Sequence, residues 1–254
     1  MGFDSYYITK VKKFYLPFFE DAKVVLDLGC GRGEFLQLLK SKGIRGYGVD
    51  SDRKMVQYCK RRGLNVVEAH AISFLKETHH KFDGIFCSHL VEHMLVKDSV
   101  GLLSLCKKLL TSGGTILVCT PNPASLPMQL YEYWRDPTHV RMYTQELLEF
   151  LLRFTGYKVI DSGINPNYTF IVPFREQVYR PTRSKKEALP GHARLHLAEL
   201  KAIIDRMRAL EKKVDAITTD IIRVLKGLYC PGEVYAVAQK LSRESRTIGR
   251  TSYA

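Results

Sequence analysis

The sequence predicts an α/β chain built on a largely parallel sheet with helices on both faces. Three observations carry this. Short apolar runs alternate with segments of helical period from Val24 to Ile160, the pattern that crossover connections between parallel strands produce. The first run ends in glycines at alternate positions, Gly29, Gly31 and Gly33, and a helical period follows at once. Polar residues, namely Asp27, Asp50, His70, Ser88 and Thr120, fall at the ends of successive runs, and ligands bind at the carboxyl ends of strands in such sheets.

In order, the strands are Val24–Leu28, Gly46–Val49, Asn65–Glu68, Phe82–Ser88, Thr115–Thr120 and Tyr157–Ile160. Helices follow at about 34–42, 53–62, 71–77, 97–110 and 145–152. Leu110–Gly114 is a turn. Before the first strand, Tyr6, Tyr7, Val11, Phe14, Tyr15, Phe18 and Phe19 recur at roughly helical spacing, interrupted by Pro17. Residues 1–22 are therefore a helical lid over a ligand or a helix packed on the sheet. Residues 23–164 form the core. Pro121–Met142 is long and irregular, and loops of that length inside a domain usually carry function. It holds the only tryptophan, Trp134, with Tyr133, Arg135, Asp136, His139 and Arg141. Residues 121–144 are therefore expected to form the acceptor loop.

Residues 165–230 differ in character. Pro166, Pro173, Pro181 and Pro190 punctuate a stretch carrying Arg180, Arg183, Lys185 and Lys186, which reads as an exposed basic linker. A helix over 193–226 follows. Leu200, Ile203, Met207, Leu210, Val214, Ile217, Ile221 and Val224 form an unbroken heptad seam along it, so a homodimer or partner coiled coil is expected. An apolar stripe against its own domain is the alternative. Residues 231–241 alternate as a final edge strand, and 242–254 form a basic tail.

The totals exclude several classes. No apolar run among the 254 residues approaches the roughly 20 needed for a membrane-spanning helix. The first ten residues lack the pattern of a secretory leader. Six scattered cysteines have no metal or disulfide spacing, as expected of reduced thiols in the cytoplasm. Net charge is +13, of which residues 175–254, with 17 Lys/Arg against 9 Asp/Glu, carry +8. That excess admits nucleic acid or anionic acceptors without requiring them.

The glycine turn is open to a dinucleotide or another nucleoside ligand, or to none if Asp27 only caps it. Asp27 decides. A buried carboxylate under the turn repels a pyrophosphate and suits a ligand with an ammonium group, while Asp50, 19 residues beyond Gly31, suits the two hydroxyls of an adenosine ribose. With these residues the chain resembles the class I methyltransferases. Arg45–Asp52, Asn65–Ala71, Phe82–His93 and Leu109–Pro123 are similar to the family's later motifs. His70 stands where the family usually has Asp. The resemblance implies a seven-stranded Rossmann-like sheet with an antiparallel last strand, here with a long helical insertion before it. It implies S-adenosylmethionine (SAM) as cofactor and S-adenosylhomocysteine as product. The cofactor residues expected are Asp27, Gly29, Cys30, Gly31, Asp50, Ser51, His70, Ala71, Ser88 and His89.

A narrower resemblance runs through Gly31–Phe35, His89–His93, Thr120–Pro123, Asp136–Arg141 and Leu228–Lys240. It is to methyltransferases encoded with glycosyltransferases, including those that cap O-antigen polysaccharides. It implies a sugar, glycan or sugar-phosphate acceptor. RNA methylation and a non-catalytic SAM-binding scaffold are the competing readings.

His89-x-x-Glu-His93 at the end of a parallel strand lacks the helix that an inverted zinc-protease motif needs. Two readings remain. His89, Glu92, His93 and His139 are candidate ligands for a divalent metal at the transfer site, as in a similar small-RNA methyltransferase family, or Glu92 and the histidines shape the pocket. A hydroxyl acceptor needs a base, and His93 and His139 are its candidates, with Glu92 as orienting group.

Overall fold

The computed structural model describes residues 5–169, 197–228 and 230–241. They divide between two compact units, bounded as 1–170 with 231–254, and 171–230.

The first unit is built on one sheet. Its strands are β1 Val24–Leu28, β2 Arg45–Asp50, β3 Val66–Glu68, β4 Phe82–Ser88, β5 Leu110–Pro121, β6 Lys158–Ile164 and β7 Glu233–Gln239. The spatial order is β3-β2-β1-β4-β5-β7-β6. The first five pair in parallel, and β7 runs antiparallel to both β5 and β6. The helices are α1 Ser5–Lys13, α2 Glu34–Ser41, α3 Arg53–Arg61, α4 Ala71–Glu77, α5 Val96–Leu109 and α6 Gln145–Phe154.

Local chemistry explains these boundaries. β1 is apolar on both faces and buried along nearly its whole length, as a central parallel strand must be. Gly33, at φ 76°, starts α2 in the left-handed region. A side chain there would meet Leu64 Cδ1 at 2.5 Å and Cys59 Sγ at 3.0 Å, so glycine satisfies both the turn and the packing. Asp52 caps α3 by accepting from the Lys54 amide, and Thr144 caps α6 by accepting from the Leu147 amide.

Successive residues of each strand feed opposite faces. Leu26, Leu28, Ile85, Cys87, Ile116 and Val118 pack on one side with α5 and α6 residues such as Leu102 and Leu148. Val25, Phe86, Leu117, Tyr235 and Val237 pack on the other with Tyr15, Phe19 and Phe35. The N-terminal segment belongs to this second face. Val11, Tyr15, Leu16 and Phe19 are buried, and Pro17 lies in a 3-10 turn, Leu16–Phe19, that follows α1. None of residues 5–22 lines the ligand cavity described below.

Two elements differ from expectation. β7 is not an edge strand: it lies between β5 and β6, and Glu233 to Ala238 are all buried. Its alternation of small and large residues reflects two covered faces. The expected turn at Leu110–Gly114 is an irregularity within β5, where the pairing jumps from Phe82–Leu110 to Gly84–Thr115 around Gly113 at φ 74°.

In the second unit, Leu197–Leu228 is a helix, α7. Its 32 residues span about 48 Å at 1.5 Å per residue. Ile203, Met207, Leu210, Val214, Ile217, Ile221 and Val224 of the heptad seam are 52–63% exposed. The cluster Arg180, Arg183, Lys185 and Lys186, residues 193–196 and the tail 242–254 lie outside the described residues. No described helix is long and apolar enough to cross a membrane.

Candidate active site

The carboxyl ends of β1 to β4 open on a cavity of about 510 Å³. Gly29, Asp50, Ser51, His70, Ala71, His89 and His93 line it, together with Val49, Ala69, Ile72, Leu90, Met94 and Thr138. Asp27, Cys30, Gly31 and Ser88 do not line it. Asp27, Cys30 and Ser88 are buried, and Gly31 belongs to the turn. From the expected acceptor loop only Thr138 reaches the cavity wall.

The glycine turn is held by its neighbours. The Gly29 and Cys30 amides both donate to the Val49 carbonyl, at 2.8 and 3.1 Å. Asp50 Oδ2 accepts from the Gly31 amide at 2.7 Å and Oδ1 from the Asp52 amide at 2.8 Å. Each of these oxygens keeps a second lone-pair site. Gly29 has φ 74°, and a side chain there would stand 3.7 Å from Leu90. Without one, a ligand can approach the backbone.

Asp27 is fully buried, and neither carboxylate oxygen has a hydrogen-bond partner. Burial pushes its pKa up to about 7, against a smaller opposing pull from Lys12. Lys12 is itself drawn to Glu34, 3.8 Å away. A buried carboxylate left without partners is costly, and a cation brought to it relieves that cost.

His89 sits at φ 51°, the only left-handed non-glycine backbone among the described residues. Its Nε2 lies 2.6 Å from Glu233 Oε2, and its ring stacks on Tyr168 at 5.9 Å between centroids. Glu233 Oε1 accepts from the Tyr15 hydroxyl and from Asn165 Nδ2. On the other side, His89 Nδ1 is 3.1 Å from Glu92 Oε1, an ion-pair distance without hydrogen-bond geometry. Burial alone would lower the His89 pKa, but the Glu233 hydrogen bond and the two nearby carboxylates outweigh it and raise it to about 10. His89 is thus held between two carboxylates, and it is not among the side chains that gather as a potential metal cluster among the described residues.

The remaining group consists of Glu92, His93 and His139, whose ligand atoms all lie within 4.8 Å of one another. Glu92 is fully buried, and its Oε2 accepts from the Thr120 hydroxyl at 3.0 Å. Its backbone carbonyl accepts from the Val140 and Arg141 amides at 2.7 and 3.2 Å, which ties the loop to the end of β4. His93 and His139 have ring centroids 4.7 Å apart. His139 Nδ1 is 2.6 Å from the Tyr133 carbonyl, and the His139 ring stacks on Tyr133 at 4.4 Å. A carbonyl only accepts, so Nδ1 carries the proton and Nε2 presents a lone pair. His93 Nδ1 is 2.8 Å from Thr138 Oγ1.

The other loop residues are occupied locally. Tyr133 is buried, and Trp134 is 69% exposed with its Nε1 donating to the Gln129 carbonyl. Arg135 pairs with Glu132 at 3.0 Å. Asp136 accepts from Thr138, whose hydroxyl and amide hold its carboxyl below the usual range. Arg141 lies over the Tyr143 ring at 5.2 Å.

Sequence reasoning missed Glu233, Asn165, Tyr15 and Thr138. The first three are joined only by tertiary contact. Thr138 carried a local signal, since Asp-x-Thr builds a side-chain turn that fixes a hydroxyl.

Residues 2–162 match the model of a methyltransferase domain family. The chain belongs to that family. It is a SAM-dependent methyltransferase with the class I fold. A SAM-dependent methyltransferase from Archaeoglobus fulgidus is similar in structure at TM-score 0.66 and 29% identity, over 93% of this chain and 95% of that one. The plantazolicin methyltransferase BamL, solved with S-adenosylhomocysteine, shares the fold at TM-score 0.56 and 20% identity, over 93% of this chain and 86% of that one. In sequence, the methyltransferase is 28% identical over 110 residues to a ubiquinone biosynthesis O-methyltransferase of Vibrio cholerae, covering 39% of this chain and 42% of the relative. It is 31% identical over 105 residues to one from Coxiella burnetii, covering 39% and 44%. The match spans less than half the length of these curated relatives. The cavity suits SAM: orphaned Asp27 lies under a glycine turn that leaves the backbone open, next to an Asp50 with lone pairs to spare.

Proposed function

We propose that this methyltransferase transfers the SAM methyl group to a hydroxyl oxygen of a sugar, glycan or sugar-phosphate acceptor. One observation carries the hydroxyl reading: beside His93 of the cavity wall, with ring centroids 4.7 Å apart, His139 has its Nδ1 proton committed to the Tyr133 carbonyl. Its Nε2 is thus free to take a proton. The motif series from Gly31–Phe35 to Leu228–Lys240 supports the glycan acceptor. A phenolic hydroxyl is the second reading, favoured by the ubiquinone biosynthesis O-methyltransferases to which the chain is similar.

In this proposal Asp50 accepts the ribose hydroxyls, Asp27 faces the ammonium, and Gly29, Cys30, Gly31 and Ser51 shape the cofactor turn. His70 and Ala71 stand beside the adenine, with Ser88 and His89 beneath the reacting end. Tyr133, Trp134, Arg135, Asp136 and Arg141 belong to the acceptor side, Tyr133 and Asp136 through their hold on His139 and Thr138. When bound, SAM supplies a methyl on a sulfonium that leaves as the neutral thioether of S-adenosylhomocysteine. The acceptor oxygen forms the new bond to that carbon, and its proton passes to His93 or His139 as general base. Position and exclusion of water supply much of the rest. A divalent ion, if part of the holoenzyme, would be held by Glu92, His93 and His139, and it would acidify the hydroxyl in place of the base.

Methyl-labelled SAM offered with methyl glycosides, nucleotide sugars and 3,4-dihydroxybenzoate tests the reading. Label should enter an acceptor oxygen, and His139→Gln should abolish transfer while sparing SAM binding. Loss of activity in EDTA, restored by a divalent ion, would select the metal version. Full activity in both His93→Gln and His139→Gln would refute both.

The cytoplasm is the proposed compartment, where the five buried free thiols stay reduced. We also propose that α7 pairs with a second copy of itself. The heptad places Arg206 at a g position and Glu211 at the following e position, which meet across a parallel two-stranded coil as opposite charges.

A further inference from the structure

We propose that Thr138 and Asp136 are positioning residues that fix the proton of His93 on Nδ1, so that Nε2 faces the cavity as a lone pair. The inference rests on the reading of His93 as base or ligand, and it adds residues that neither the motifs nor the relatives assign. Four contacts carry it. Thr138 Oγ1 donates to Asp136 Oδ1 at 2.6 Å, and the Thr138 amide donates to the same oxygen at 2.9 Å. His93 Nδ1 lies 2.8 Å from Thr138 Oγ1. His139 Nδ1 lies 2.6 Å from the Tyr133 carbonyl.

A threonine hydroxyl has one proton and two lone pairs, and an ionised aspartate only accepts. The Thr138 proton is spent on Asp136. The oxygen can then only accept from His93, so Nδ1 of His93 must be the protonated nitrogen. The second hydrogen bond of a histidine decides which nitrogen is free to act. The Asp136–Thr138 pair does for His93 what the Tyr133 carbonyl does for His139. Two histidines with rings 4.7 Å apart thus both present Nε2 as acceptors. Either Nε2 can then take the acceptor's single proton, with no competition over which ring is already protonated on that side. Thr138 also lines the cavity, so the device sits at the site itself.

The test needs no knowledge of the acceptor. In the full-length protein with S-adenosylhomocysteine bound, nitrogen-15 histidine spectra report each ring's tautomer. Wild-type His93 should be the Nδ1–H form, and an Nε2–H form would overturn the proposal outright. Thr138→Val keeps the backbone amide bond to Asp136 and removes the hydroxyl. It should move His93 toward the Nε2–H form, and Thr138→Ser should restore the wild-type state. An unchanged His93 tautomer in Thr138→Val would also overturn it. Turnover with whichever of the acceptors above takes up label separates this from the parent reading. If His93 acts as base, Thr138→Val lowers kcat by about 10-fold or more with the Kd for SAM unchanged. A tautomer that shifts while kcat holds leaves the proton assignment standing and removes His93 from the chemistry.

Discussion

His89 Nε2 meets Glu233 Oε2 at 2.6 Å across 144 positions of the chain, joining the end of β4 to the start of β7. Burial alone would raise the Glu233 pKa, but the His89 bond and charge, with the bonds from Tyr15 and Asn165, hold it below the ordinary range. Glu233→Gln removes one partner of a buried pair. It should destabilise the protein by about 3 kcal/mol, the low end for such a loss because His89 is partly open to the cavity. Native His89 keeps its proton to about pH 10, whereas the unfolded ring loses it near its ordinary 6.5. The pair's stabilisation is therefore complete between the ordinary carboxylate range and about pH 6.5; it fades as pH rises toward 10 and as acid protonates Glu233. Denaturant titration of both proteins should show curves that converge at high pH. Parallel curves would remove the ion pair as the cause.

Asp50 should govern cofactor affinity. Asp50→Ala removes charge-assisted bonds worth roughly 1.5–3 kcal/mol each and frees the amides of Gly31 and Asp52. Calorimetry should show SAM binding at least about tenfold weaker. Unchanged binding would separate Asp50 from the ribose.

Asp27 should make SAM binding pH-dependent. Its pKa, pushed up to about 7 by burial, leaves it largely protonated in the free protein below that pH. Pairing with an ammonium favours the carboxylate, so binding releases a proton and affinity should rise between about pH 5 and 7. Folding stability of the free protein should move the opposite way. The native state binds more protons than the unfolded chain between about pH 4 and 7, so stability falls as pH rises through that range. Asp27→Asn should flatten both profiles, measured by calorimetry and by thermal melts.

The α7 seam should control assembly. Ile217→Asp places a charge at the centre of the paired faces. Sedimentation should show a dimer converted to monomer with SAM affinity unchanged. A wild-type protein that stays monomeric at high concentration would end the idea.

The cofactor edge of the fold was legible because its determinants are local. The run Val24–Leu28, the glycines to Gly33, and the acids Asp27 and Asp50 sit within short windows whose geometry follows from strand, turn and helix. β7 misled because Glu233–Gln239 alternates large and small residues, and alternation looks the same whether one face is wet or both are covered. Trp134 was legible only as a member of the loop. The sequence does not say that its ring is largely exposed while its Nε1 bonds the loop's own backbone. The contact of His89 with Glu233 was not legible, because the motif spacing is silent about a residue 144 positions away. The turn at Thr138 was legible in Asp-x-Thr, but its partner was not, since His93 is 45 positions away.

The position of β7 also bears on how the polypeptide is made. Sheet order and synthesis order disagree, since the strand between β5 and β6 is the last of the seven to leave the ribosome. Asn165 and its carboxylate partner Glu233 are separated by 68 positions, all of which must be translated before the two can meet. Until then β5 has an open edge and β6 has no strand to pair with, a state prone to strand-mediated aggregation. Reading-frame loss just before Pro231 would leave a polypeptide with every glycine of the cofactor turn but no means of closing its sheet. Residues 233–239 thus decide, late in the chain, whether the sheet can close.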